Sequence, residues 1–228
     1  MAEEMAWRYE QYALTVLEGL KRRGISAYFV PSRREALDKV LELVPPQATV
    51  GWGDSMTLEQ VGVFAELRQR NRVIDAFERK ADGSLTTSRE EHFEIERQAM
   101  LADCFLTSAG ALTLDGKIVN IDGHGNRVAP TLFGPRKVIF VVGANKIVAD
   151  VDEAMSRIKN YAAPMNAKRH MLKHKAEVFA DLPCVKRGVC ADCRHRARIC
   201  NKVVIIEGEG SMEPERTHVI IVGEALGI

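Results

Sequence analysis

The chain has 228 residues, 46% of them apolar, enough to build a real core and to exclude wholesale disorder. Its charges nearly cancel, 32 Lys and Arg against 31 Asp and Glu for a formal net charge of +1, so no global field draws it to nucleic acid or anionic lipid. The longest strongly apolar run, residues 138–142, is far short of a bilayer span, and the opening MAEEMAWRYE has no signal-peptide core. Both point to a soluble, cytoplasmic protein without a membrane partner.

Tyr9, Ala13, Val16, Leu17 and Leu20 recur at helical spacing, and Gly24 stands where a helix-ending residue belongs. Residues 25–30 read as a short buried strand. Ser32 and Glu35 form a capping box for a helix that runs to about Val44 and is stopped by Pro45-Pro46. A strand over 48–51, a turn over 51–55 and a helix over 57–70 come next. A strand over 73–75, a helix opened by Ser88 and Glu91 and running toward Leu101, and a strand over 104–107 complete four strand–helix alternations. That rhythm predicts an α/β fold, a mainly parallel sheet with helices on both faces. Beyond it the pattern changes. Asp115-Gly116 between two apolar runs marks a β-hairpin, residues 137–142 read as a central strand, and 150–161 and 164–179 read as helices. Strands over 202–207 and 217–222 close the chain. The expectation is a single domain over 1–228, with a Cys-rich module at 183–201 inserted before its last two strands.

Cys104 stands alone in an apolar strand and reads as core rather than nucleophile. The other four cysteines, Cys184, Cys190, Cys193 and Cys200, have the spacing C-x5-C-x2-C-x6-C. With no export signal, thiols stay reduced, and four clustered thiols read as metal ligands rather than disulfide partners. A set of buried apolar cysteines would not sit among so many basic and polar neighbours. Four thiolates serve a [4Fe–4S] iron–sulfur cluster or zinc; zinc sites often use two C-x2-C pairs, and only one is present. Lys186, Arg187, Arg194, Arg196, Arg198 and Lys202 would offset the negative charge of either assembly. The same cations could touch phosphates, but no aromatic residue interleaves them for base stacking, which argues against nucleic acid. His195 reads as a solvated neighbour.

Two polar loops carry the remaining chemistry. In the first, Gly51, Gly53, Asp54, Ser55 and Thr57 follow a strand and open a helix, where backbone can approach an anionic ligand. The third glycine of a dinucleotide fingerprint is missing, and a plain helix cap by Asp54 or Ser55 is the equal alternative. The second holds Asn120, Asp122, Gly123, His124, Asn126 and Arg127, hydrogen-bonding groups after a strand, with a guanidinium able to grip a carboxylate or phosphate. A turn stabilised by its own side chains is the alternative. Lys146, just past the central strand, is placed at the same edge. A small anionic ligand at the carboxyl edge of the sheet is the expectation.

The stretch GWGDSMTLEQ, the long block LTLDGKIVNIDGHGNRVAPTLFGPRKVIFVVGANKIVADVDEAMSRIKNYAAPMNAKRH and the closing PC-x5-C-x2-C-x6-CN segment resemble the LUD-domain proteins of lactate utilisation, over about residue 50 to the end. The resemblance implies the sheet topology shared by ribose-phosphate isomerases, glucosamine-phosphate deaminases and CoA transferases. It also implies association with oxidation of L-lactate to pyruvate, alongside partner redox subunits that carry iron–sulfur clusters. No catalytic residue is carried over from it. Two other readings stand beside it: a non-redox isomerase or CoA- and acyl-handling enzyme with a structural metal, and a non-catalytic subunit that docks a partner through its basic cysteine segment. The sequence leaves the substrate, the metal and a homo-oligomer open.

Overall fold

A computed structural model describes residues 1–80, 85–174 and 177–228. Helix α1, Ala2–Arg22, ends as expected before Gly24, whose φ of +75° suits a residue without Cβ. Strand β1, Ser26–Val30, leads to α2, Arg33–Leu43, where the Ser32 hydroxyl accepts from the Glu35 amide. Strand β2 is Thr49–Trp52. The helix expected over 57–70 is two: α3, Met56–Val61, and α4, Val63–Arg70, broken at Gly62 with φ +84°. Strand β3, Arg72–Ile74, precedes α5, Arg89–Ala99, which opens on the complete Ser88–Glu91 capping box. Strand β4 is Cys104–Thr107, β5 Ala111–Thr113 and β6 Ile118–Asp122, the last two an antiparallel hairpin around Asp115-Gly116.

A short α6, Ala129–Leu132, leads into β7, Lys137–Gly143, followed by a 3-10 turn, Ala144–Lys146, and β8, Ile147–Val148. The helix expected to end at Tyr161 continues instead. Helix α7, Val151–Arg157, passes through a π turn, Ile158–Ala162, into α8, Ala163–His174. Pro164 has no amide hydrogen for the carbonyl four residues back, so the ladder slips to the wider spacing rather than stopping. Of the helix expected over 164–179, residues 175–176 lie outside the described residues, and Glu177–Phe179 form a 3-10 turn. Helix α9, Pro183–Arg187, begins the cysteine segment, and β9, Lys202–Ile206, and β10, Thr217–Val222, follow it.

The main sheet is wholly parallel, in the order β1-β10-β7-β4-β2-β3, and a smaller mixed sheet runs β8-β5-β6-β9. The last two strands therefore part company. All six residues of β10 are buried, so it enters the middle of the main sheet; β9 leaves Val203 and Ile205 exposed and forms an edge of the small one. Alternation along β7 divides the core. Ile139 and Val141 pack with α2, α3 and α4 on one face, while Val138, Phe140 and Val142 pack with α1 and the small sheet on the other. The far side of the small sheet is covered by α7 through Ala154 and the adjoining Ile158. Cys104 is buried, and burial pushes its thiol up to about 11, an inert core position. Among the described residues no helix is long and apolar enough to cross a membrane.

Neighbours β7, β4 and β2 run parallel, so the segments leaving their carboxyl ends emerge side by side. These are the stretch after Trp52, the stretch after Thr107 and the turn that carries Lys146. That edge is where open α/β sheets gather ligands.

Candidate functional site

A cavity of about 100 Å³ opens at this edge, its walls including Asp54, Thr57, Ser108, Asn120, Arg127 and Lys146. The two polar loops thus meet in one cleft. Ser55 also lines it while its hydroxyl accepts from the Leu58 amide at 3.3 Å, so its capping role holds as well. The Asp54 carboxylate is gripped by both terminal nitrogens of Arg169 on α8, at 3.0 and 2.9 Å. Asn120 accepts from the Gly110 amide at 2.7 Å and ties the hairpin to the segment after β4.

Lys146 is 4% exposed, and the contacts of its ammonium are hydroxyls: Nζ donates to Thr57 Oγ1 at 3.0 Å and Ser108 Oγ at 3.2 Å. Burial, aided by the Arg157 and Arg127 cations, brings its pKa down to about 7. Gly227 crosses over it with φ +67°; a Cβ there would stand 2.4 Å from Thr57 Oγ1 and 2.8 Å from Lys146 Nζ. Only glycine lets the chain lie this close.

Arg127 is oriented from below. Its Nε faces Asp122 Oδ2 at 2.9 Å and one Nη donates to the Ile121 carbonyl at 3.2 Å, which leaves Nη1 with no protein partner among the described residues. Asp122, buried, also accepts from the Gly125 amide at 2.8 Å. Gly53 gives room to this arginine, since a Cβ would meet Arg127 Cγ at 2.6 Å. Gly51 lies within β2 against Ala99 of α5, away from the cleft walls.

The rest of the second loop faces an adjoining cavity. Gly123, His124 and Asn126 line it together with His92, Glu96 and Phe77, and Arg127 and Asp54 border both spaces. The buried Glu96 carboxylate is the hub. Asn126 Nδ2 donates to it at 2.6 Å, and His124 and His92 face it through Nε2 at 3.1 and 3.3 Å. The bond to Glu96 raises the His124 pKa against the opposing pull of burial.

All four cysteines of the late quartet, each half-buried, line a third cavity with Leu182, Pro164, Arg198 and Lys159. Burial raises the Cys184 thiol, and the neighbouring Cys193 and Cys200 raise it further. The Asp192 amide donates to Cys190 Sγ at 3.4 Å, and Arg198 bridges the carbonyls of Cys193 and Cys200. Among the described residues no group of three or more His, Cys, Asp or Glu side chains is placed to hold a single metal ion. Ala163 and Ile199 belong to the walls of both this cavity and the cleft.

Sequence reasoning missed Thr107 and Ser108, Arg169, Asn166, and Glu96 with His92. The serine had a usable signal, as the polar residue just past a buried strand. His92 and Glu96 stand four apart on one helix, the spacing that puts two side chains on one face. Nothing local marks Arg169 as the partner of a residue 115 positions earlier.

A family model described as LUD domain matches residues 15–222. The crystal structure of a DUF162 family protein from Deinococcus radiodurans is similar at a TM-score of 0.46 and 15% identity, over 97% of this chain and 98% of that one. No curated protein matches the chain.

Proposed function

The chain belongs to the LUD-domain family, and from that premise we propose that it binds a small 2-hydroxy or 2-oxo carboxylate in the cleft and holds an iron–sulfur cluster through Cys184, Cys190, Cys193 and Cys200. The observation that carries the reading is the shared wall: Ala163 and Ile199 separate a cationic cleft from a cavity lined by four thiols. In the cleft, Arg127 Nη1 and the Lys146 ammonium supply charge for a carboxylate, while Asp54 is occupied by Arg169.

The donor set suits a thiolate-bound centre. Four thiols in reach of one cavity repel one another once ionised, and a positive core relieves that repulsion. One C-x2-C pair rather than two is a spacing that suits an iron–sulfur cluster. A bound cluster of this kind exchanges single electrons, so a two-electron oxidation of a hydroxy acid would call for a partner redox subunit. The residues of the chain do the rest: Arg198 fixes the backbone of two ligands, and Arg127 and Lys146 hold the anion.

Protein purified without oxygen should be brown and carry iron, and Cys193→Ser should lose both. A colourless protein holding one zinc would keep the ligand set and remove the redox role; colourless, metal-free protein would overturn both. Lactate or pyruvate should raise the melting temperature, with no response to phosphosugar or CoA thioester. The reverse pattern would make this a non-redox isomerase or acyl-handling enzyme on the same sheet.

A further inference from the structure

Lys146 has features that electrostatic binding of an anion does not require. A cation meant only to attract a carboxylate works best when fully charged and partly hydrated, as Arg127 already is at the same cleft. Lys146 instead sits behind the surface on the turn after β7, its contacts two hydroxyls rather than a carboxylate, with the Arg127 and Arg157 cations nearby. Asp54, the acid of the cleft wall, is engaged by Arg169. A Cβ on Gly227 would stand 2.8 Å from Nζ, space that the missing side chain leaves empty. This is the setting of an amine kept free of its proton part of the time, with oxygen groups at hand to move one.

We propose that Lys146 forms an imine with the C2 carbonyl of a small 2-oxo acid whose carboxylate is held by Arg127. The inference rests on the carboxylate reading of the cleft and narrows it to the carbonyl form of the ligand. The amine lone pair adds to the carbonyl carbon as the carbonyl π pair moves onto oxygen. One N–H proton passes to that oxygen, with the Thr57 and Ser108 hydroxyls in position as relays. The second N–H proton leaves with the hydroxyl as water, and the C=N bond forms; no oxidant or reductant is consumed. The amine titrating near neutrality supplies the required lone pair at ordinary pH. The cavity of about 100 Å³ limits the acid to a few heavy atoms.

The test is reductive trapping of the whole protein with pyruvate and cyanoborohydride, read by peptide mass spectrometry, beside the melting temperature with pyruvate alone. The expected result is one carboxyethyl group on Lys146. It should be lost in Lys146→Met and in Lys146→Arg, each checked for native circular dichroism, and reduced several-fold in Arg127→Met, which keeps the amine. Stabilisation by pyruvate with no adduct would overturn the imine and leave the carboxylate site standing. Neither stabilisation nor adduct would remove both. Labelling spread over surface lysines to the same extent in the Lys146 variants would also overturn the imine.

Discussion

An ammonium drawn inside a protein beside neutral hydroxyls is stable only at a cost, and Lys146 makes that cost measurable. Its amine titrates near 7 in the folded protein and near the ordinary 10.5 in the unfolded chain. Between those values the unfolded chain holds more protons, so folding stability must rise with pH across that window. Below about pH 7 the lysine is charged in both states and its penalty is complete. Urea unfolding of the wild type and of Lys146→Met, compared at pH 7 and pH 10, should show the wild type gaining on the variant as pH rises. A constant difference would mean that the amine is not desolvated. The chemistry of these single residues was partly legible: Asp54, Thr57, Asn120, Arg127 and Lys146 were all marked by polarity at the ends of strands, and all line the cleft. Gly51 and Gly53 were marked as places where backbone could approach a ligand, and the structure sets Ala99 and Arg127 where their side chains would stand.

At the scale of elements, local chemistry set where helices begin more surely than how far they run. The Ser88–Glu91 box closes its two bonds within four residues and needs nothing from the rest of the molecule. Gly62 is different: it interrupts an amphipathic stretch that would otherwise read as one helix, and its left-handed conformation lets α4 turn away from α3. An added Cβ at Gly62 meets nothing within 4 Å, so Gly62→Ala isolates the conformational cost. That variant should lose about 1–2 kcal/mol in chemical unfolding with the cleft unaltered. The π turn Ile158–Ala162 follows from Pro164 in a way the sequence does not announce, since a proline in the first turn of a new helix and a proline that distorts a continuing one look alike. Its consequence is functional, because Ile158 and Ala162 form part of the cleft wall.

For the whole molecule, the main sheet and its two cores form without the cysteine segment, whose α9 and following loops bury no large apolar side chain of their own. An inorganic centre would therefore order residues 183–201 rather than the fold. Trypsin, which finds Lys186, Arg187, Arg194, Arg196 and Arg198 there, should cut metal-free protein within that segment and leave metal-loaded protein intact, with the rest of the chain resistant in both. Equal resistance in the two states would show that the protein alone holds the segment in place.

Spacing along the chain was sufficient for the parallel α/β sheet, the hairpin and the Ser88–Glu91 capping box, because each rests on interactions between residues close in sequence or on simple burial periodicity. Strand order, the insertion of β10 between β1 and β7, the joining of the two polar loops, the Asp54–Arg169 pair and the wall shared by cleft and thiols were decided only in three dimensions. These depend on which apolar surfaces bury one another across more than a hundred residues of separation, and that competition leaves no mark at any single position.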